Sequence, residues 1–175
     1  LDGVEIVNLR ADNEASRRER FAKILAEKRQ RNGMTFQEAN DKMFDRNYFG
    51  MMMVETGEAD AFITGVYTRY RETIQIAKDV IGIREGFNHF GTMHILNSDK
   101  GTFFLADTLI NRHPDVDTLV DTAKLAAHTV RFFNNEPVMA MLSYSNFGAD
   151  EVGTPATVHQ AVEIVHQQMP ELDID

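Results

Sequence analysis

Cysteine is absent from the 175 residues, which removes disulfides, thiolate metal sites and a cysteine nucleophile while leaving the compartment open. Nor is there an apolar run of about 18 residues or a signal-peptide pattern, so a soluble, cytoplasmic protein without a membrane partner is expected. The sequence holds no G-x-G-x-x-G fingerprint and no Walker loop, which leaves NADP and ATP without a recognisable seat in these residues. Its six histidines, His89, His94, His113, His128, His159 and His166, never fall at H-E-x-x-H or a comparable ligand spacing and read as surface or structural groups. Basic charge is scarce towards one end: residues 101–175 hold 3 Lys/Arg against 11 Asp/Glu, whereas residues 1–100 hold 15 against 16. With a formal net charge of −9, general nucleic-acid binding is not expected.

What is present begins with 43% apolar residues, enough for a core in one domain or two small lobes. The opening LDGVEIVNLR behaves as a strand entering from elsewhere, so the chain is expected to be part of a longer protein. An amphipathic helix from Ser16 carries Phe21, Ile24 and Leu25 on one face and stops at Asn32-Gly33. Thr35 to Glu38 is a capping-box pattern for a second helix ending near Phe44. Arg10, Arg17, Arg18, Arg20, Lys23, Lys28, Arg29 and Arg31 form a basic cluster with interleaved acids. It reads either as a solvated helix face or as a contact for the phosphates of a nucleotide-like ligand.

Residues 47–83 read as an apolar helix, a Gly57-Glu58 turn, a short buried strand at 61–64, Gly65 and a long helix. A glycine at a strand's carboxyl end, followed by a helix N-terminus, can cradle an anion. The candidate residues are Thr64, Gly65, Tyr67, Thr68 and Arg69; the alternative is an ordinary strand-to-helix connection. Met51, Met52 and Met53 read as core or subunit contact. Glu55, Glu58 and Asp60 read as a polar turn in preference to a metal or acid/base group. Further strands are expected at 4–9, 90–96, 102–106 and 138–143, those at 90–96 and 102–106 as a hairpin through the turn-rich residues 98–101. Helices follow Pro114 and Pro155, and 172–175 reads as a short strand. Alternation of this kind indicates an α/β fold with a mostly parallel sheet.

Three ordered blocks carry a resemblance: YFGMMMVETGEADAFITG (48–65), FFLADTLIN (103–111) and MAMLSYSNFG (139–148). Together they resemble the phosphate acetyltransferase (phosphotransacetylase) family, and most nearly the phosphotransacetylase-like C-terminal domain of bacterial NADP-dependent malic enzymes. The resemblance implies an incomplete two-lobed fold like that of isocitrate and isopropylmalate dehydrogenases, with 1–64 in one lobe, 65–175 in the other and a cleft between. It implies an acetyl-CoA or related acyl-CoA/phosphate ligand near Thr64, Gly65, Thr68, Arg69, Gln75, Asp107, Asn111, Ser143 and Ser145, and a homo-oligomer.

The same resemblance bears on chemistry. Family members that transfer acetyl groups carry an arginine in a D-T-x-R-P-A segment, which aligns with Gln75 here, a donor without charge. The family's late Ser-Arg-Gly, Asp and G-E-(L/M)-Q blocks would fall after Asp175. Ser143 and Ser145 lack a G-x-S-x-G elbow and fit hydrogen bonding to phosphate or carbonyl better than nucleophilic attack. No catalytic or metal-ligating residue is therefore assigned. Two functions are open: an acetyl-CoA-sensing, subunit-assembling module of a malic enzyme whose N-terminal domain uses NADP and a divalent metal, or a fragment of a working phosphate acetyltransferase.

Overall fold

The computed structural model describes residues 3–146 and 149–175. The ends of two sequence features, Leu1-Asp2 of the opening segment and Phe147-Gly148 of the third block, lie outside the described residues. Two compact units emerge, Leu1–Gly82 and Ile83–Asp175.

The first unit is helical. After a 3-10 turn at Asp12–Glu14 come α1 (Ala15–Arg29), α2 (Phe36–Lys42), α3 (Arg46–Glu55) and α4 (Tyr70–Val80). Phe21, Ala22 and Leu25 place one face of α1 in the core, where they meet Ala39, Met43, Phe49, Met52 and Val80, all buried. The Phe21 and Phe49 rings meet edge to face with centroids 5.2 Å apart, a favoured aromatic geometry. Met51 and Met52 belong to this core and Met53 packs against it. Gly33, at φ 83°, makes the left-handed stop after α1. Thr35 and Glu38 close the expected capping box on α2, and the Asp45 carboxylate accepts from the Asn47 and Tyr48 backbone N–H groups to start α3.

Two expected strands of this unit are not strands. At 4–9 the chain is irregular, because the buried Arg18 side chain takes the Leu9 carbonyl (2.5 Å) and the Ala11 carbonyl (2.9 Å) while Val7 and Leu9 turn onto the helical core. At 61–64 the chain is again irregular. Ile63 is 96% exposed and no neighbouring strand pairs with it among the described residues. Phe62 instead packs on the α3 backbone at Gly50, where an added Cβ would lie 2.2 Å from its ring.

The second unit holds the strands. β1 (Met93–Ser98) and β2 (Gly101–Ala106) pair antiparallel with Ile95 opposite Phe104 and Ser98 opposite Gly101, as a two-residue link requires. α5 (Val116–Phe132) is capped by Asp115, whose carboxylate accepts from the Thr118 N–H. β3 (Val138–Met139) and β4 (Asp173–Ile174) pair in parallel across α6 (Thr154–Gln168), and the ladder runs on through Met141 N–H to Asp175 O at 2.7 Å. Val120, Ala123 and Ala127 of α5 pack with Ala161, Val165, Leu172 and Ile174. The fold is α/β, but the mostly parallel sheet is corrected to one antiparallel hairpin and one short parallel pair.

Candidate functional site

In the first unit the candidate residues lie on one loop. Between Phe62, anchored on α3, and the start of α4, the chain makes a hoop from Thr64 to Arg69, turning at Gly65 (φ 140°), a value that favours glycine. Both ends of the hoop are tied to one side chain. The Thr64 hydroxyl donates to Asn47 Oδ1 at 2.6 Å, and Asn47 Nδ2 donates to Thr68 Oγ1 at 3.4 Å. Thr68 Oγ1 also meets Thr73 Oγ1 at 3.1 Å, which joins the hoop to the first turn of α4. Tyr67 is exposed at the crown with the Arg46 guanidinium 5.1 Å from its ring centroid.

Arg69 is the N-cap residue of α4 and contributes no side-chain cap. Its backbone carbonyl receives the Glu72 and Thr73 N–H groups, while its side chain is exposed and forms no ion pair among the described residues. The helix start therefore offers unbonded N–H groups beside a free cation, which is favourable for an anion. Gln75, one turn on, donates to Asp79 Oδ1 at 3.1 Å. The other Asp79 oxygen accepts from the Tyr48 hydroxyl at 2.9 Å. Burial, then the Asp79 bond, raises the Tyr48 pKa far above its ordinary value.

Part of the basic cluster finds its partners within the first unit, while Lys23 and Arg31 are exposed. Arg17 pairs with Glu14 (3.2 Å) and Glu58 (2.8 Å), Arg20 with Glu58, and Lys28 with Glu55. Arg29 Nε donates to the Asp79 carbonyl at 2.6 Å and its Nη2 to the Lys78 carbonyl, while Lys28 reaches the Ile81 carbonyl at 3.0 Å. These cations thus cap the carboxyl end of α4 and bind the acids after α3.

In the second unit Asp107 follows β2 and its carboxylate gathers the loop around it. Thr92 Oγ1 donates to Oδ1 at 2.5 Å and Thr92 N–H at 3.3 Å; Asn111 N–H donates to Oδ2 at 3.1 Å, and its side-chain amide does the same. Asn111 Nδ2 also reaches the Phe90 carbonyl at 2.8 Å. Burial alone would raise the Asp107 pKa, but the Thr92 and Asn111 bonds outweigh it and hold the carboxyl below its ordinary value. Asp107 and Asn111 are thus brought together, each largely occupied by the other. Ser143 and Ser145 form a local turn, Ser145 N–H donating to Ser143 Oγ at 3.2 Å, with the Ser145 hydroxyl turned to the Asn146 carbonyl.

Asn47, Tyr48, Asp79 and Thr92 hold these groups and were not singled out from sequence. The one available signal was Asn47 itself, a polar residue heading the apolar run 48–54. Among the described residues, no group of three His, Asp or Glu side chains is placed to hold a metal.

Comparison with known proteins gives the family. Residues 1–175 match the sequence model described as phosphate acetyl/butaryl transferase. The NADP-dependent malic enzyme of Escherichia coli (strain K12) is 39% identical over 146 residues, covering 83% of this chain and 19% of that protein. The phosphate acetyltransferase of Helicobacter pylori (strain J99) is 33% identical over 175 residues, covering 100% of this chain and 33% of that protein. Among solved structures, the EutD phosphotransacetylase from Staphylococcus aureus superposes with a TM-score of 0.80 at 25% identity, over 99% of this chain and 53% of that one. A phosphotransacetylase from Streptococcus pyogenes gives 0.78 at 27%, over 95% and 50%. The chain spans about a fifth to a third of these curated relatives and about half of each solved chain. Matched from end to end in sequence and closely in fold, the chain belongs to the phosphate acetyl/butaryl transferase family.

Proposed function

We propose that this chain acts as an acyl-CoA-sensing and assembly module of a malic-enzyme-type protein, with the Thr64–Arg69 hoop as the first contact for the ligand's phosphates. The observation that carries the reading is the open start of α4, where Arg69 is exposed and unpaired among the described residues and Thr68 is held beside it. A free cation next to unbonded helix N–H groups binds phosphate oxygens by charge-assisted hydrogen bonds. Ser143 and Ser145 are a second group of ligand candidates in the other unit, as are Asp107 and Asn111, which shape the loop after β2. In this reading, malate oxidation with NADP and a divalent metal belongs outside these residues, the parent is a cytoplasmic homo-oligomer, and no residue here is assigned to redox chemistry.

A catalytic phosphate acetyltransferase is the second reading, favoured by the Helicobacter pylori relative, which matches along the whole chain. Gln75 weighs against it, because its amide is bonded to Asp79 and supplies no cation at the position where acetyl transfer calls for one.

Titration of acetyl-CoA by calorimetry into the full-length protein tests the binding claim. Arg69→Ala is expected to weaken binding by roughly 10- to 150-fold, the effect of about 1.5–3 kcal/mol for a hydrogen-bonded charge. Unchanged affinity in the folded variant would remove Arg69 from the site, and absence of binding to the unaltered protein would discard the sensing role.

A further inference from the structure

Asn47 is 0% exposed, yet it sits in a helix whose other buried residues include Tyr48, Phe49, Met51 and Met52. An apolar side chain would fill such a place without the cost of burying an amide, which is about 1–3 kcal/mol if the amide lacks partners. This amide has partners, and they come from elsewhere in the sequence: the hydroxyls of Thr64 and Thr68, 17 and 21 residues away, one on each side of Gly65. A single planar group therefore fixes the width of the hoop. Beyond Thr68 the bond to Thr73 fixes the hoop against the first turn of α4, so a shift of the amide would be felt at Arg69. Val66 and Tyr67, at 87% and 80% exposure, contribute little burial that could hold the loop otherwise.

We propose that Asn47 is a positioning residue: it sets the spacing of Thr64 and Thr68 and through them the affinity of the Thr64–Arg69 hoop for an acyl-CoA phosphate. The second half of this statement rests on the function proposed above; the first half does not. Asn47 touches no ligand in this scheme. Its effect is carried by the two threonines and by the start of α4.

The test uses the full-length protein with acetyl-CoA as probe, at a temperature where each variant is folded by circular dichroism. Asn47→Ala is expected to raise hydrogen exchange of the amides at 64–70 while leaving α1 and α5 protected, and to weaken acetyl-CoA by about 10-fold or more, the usual effect of leaving buried polar partners unpaired. Asn47→Asp gives a readout that a packing role would not move. When protonated, its carboxyl offers one donor and one acceptor as the amide does; when ionised, it buries a charge and can only accept, so Thr68 has to turn its hydroxyl to donate and give up that role towards Thr73. Its affinity relative to the unaltered protein should therefore recover as the pH falls from about 8 to about 5, the range into which burial raises a carboxyl. Unchanged exchange at 64–70 in Asn47→Ala overturns the proposal, as does unchanged affinity in that folded variant or a flat relative affinity for Asn47→Asp. If the unaltered protein does not bind acetyl-CoA, the functional reading and the affinity half of the proposal fall together, and the exchange measurement alone decides whether Asn47 shapes the hoop.

Discussion

At the scale of single residues, the polar groups of this chain divide by whether their partners use them up. Arg69 is unspent among the described residues, whereas the Asp107 carboxylate is surrounded by donors from Thr92 and Asn111. On the proposed function, that difference favours Arg69 as the ligand contact and Asp107 as the loop support. It also gives Asp107 a pH signature. Its folded pKa lies below the ordinary 3.8, so the ionised form is favoured by folding. The resulting stability is fully present above about 3.8 and is lost as the pH falls through the lower folded value. Asp107→Asn should therefore cost about 0.5–1.5 kcal/mol at pH 7, the net range for a hydrogen bond whose half-buried partners keep some access to water. The gap between variant and unaltered protein should close in denaturant titrations taken progressively below pH 3.8. A gap that stays constant with pH would show that the carboxylate is not the source of the support.

At the scale of elements, the first unit is built by helices that reach across to one another's ends. Lys28 and Arg29 at the close of α1 bond the terminal carbonyls of α4, while Arg17 and Arg20 near its start hold Glu58 in the turn after α3. The segment between that turn and the hoop depends on Phe62 packing against Gly50. A methyl at Gly50 would come within 2.2 Å of the Phe62 ring. Gly50→Ala suits a helix by propensity, yet the expected outcome is a net loss of about 1–3 kcal/mol from overpacking. Measured by chemical denaturation, a neutral or stabilising result would mean that Phe62 swings away freely and is not the anchor of the segment.

At the scale of the whole molecule, family membership is compatible with both activities, and the proposed reading turns on Gln75. On that reading a module that only senses acyl-CoA needs no cation at this position, whereas the family resemblance puts an arginine there in members that transfer acetyl groups. The full-length protein is expected to form no acetyl phosphate from acetyl-CoA and phosphate above the buffer rate. Reproducible turnover in that assay would replace the sensing role with the transferase. The net charge of −9, with most of the acidic excess after residue 100 because bases are scarce there, suits neither activity more than the other, since both depend on a local cluster of donors and not on the overall field.

The sequence by itself determined what depends on neighbours along the chain. The stop at Gly33, the capping box at Thr35, the hairpin through 98–101 and the face of α5 follow from local dihedral preference and helical or strand period, and the three ordered blocks carried the family. Strand assignment at 4–9 and 61–64 failed because a strand is completed by a partner, and apolar alternation such as Val4 and Ile6 does not say whether one exists. Tertiary structure alone decided that Arg18 would take the Leu9 carbonyl, that the α1 cations would cap α4, and that Asn47 would gather Thr64 and Thr68. These are bonds between groups far apart in sequence, and no local pattern encodes them because their energy arises only once packing has removed water from both partners.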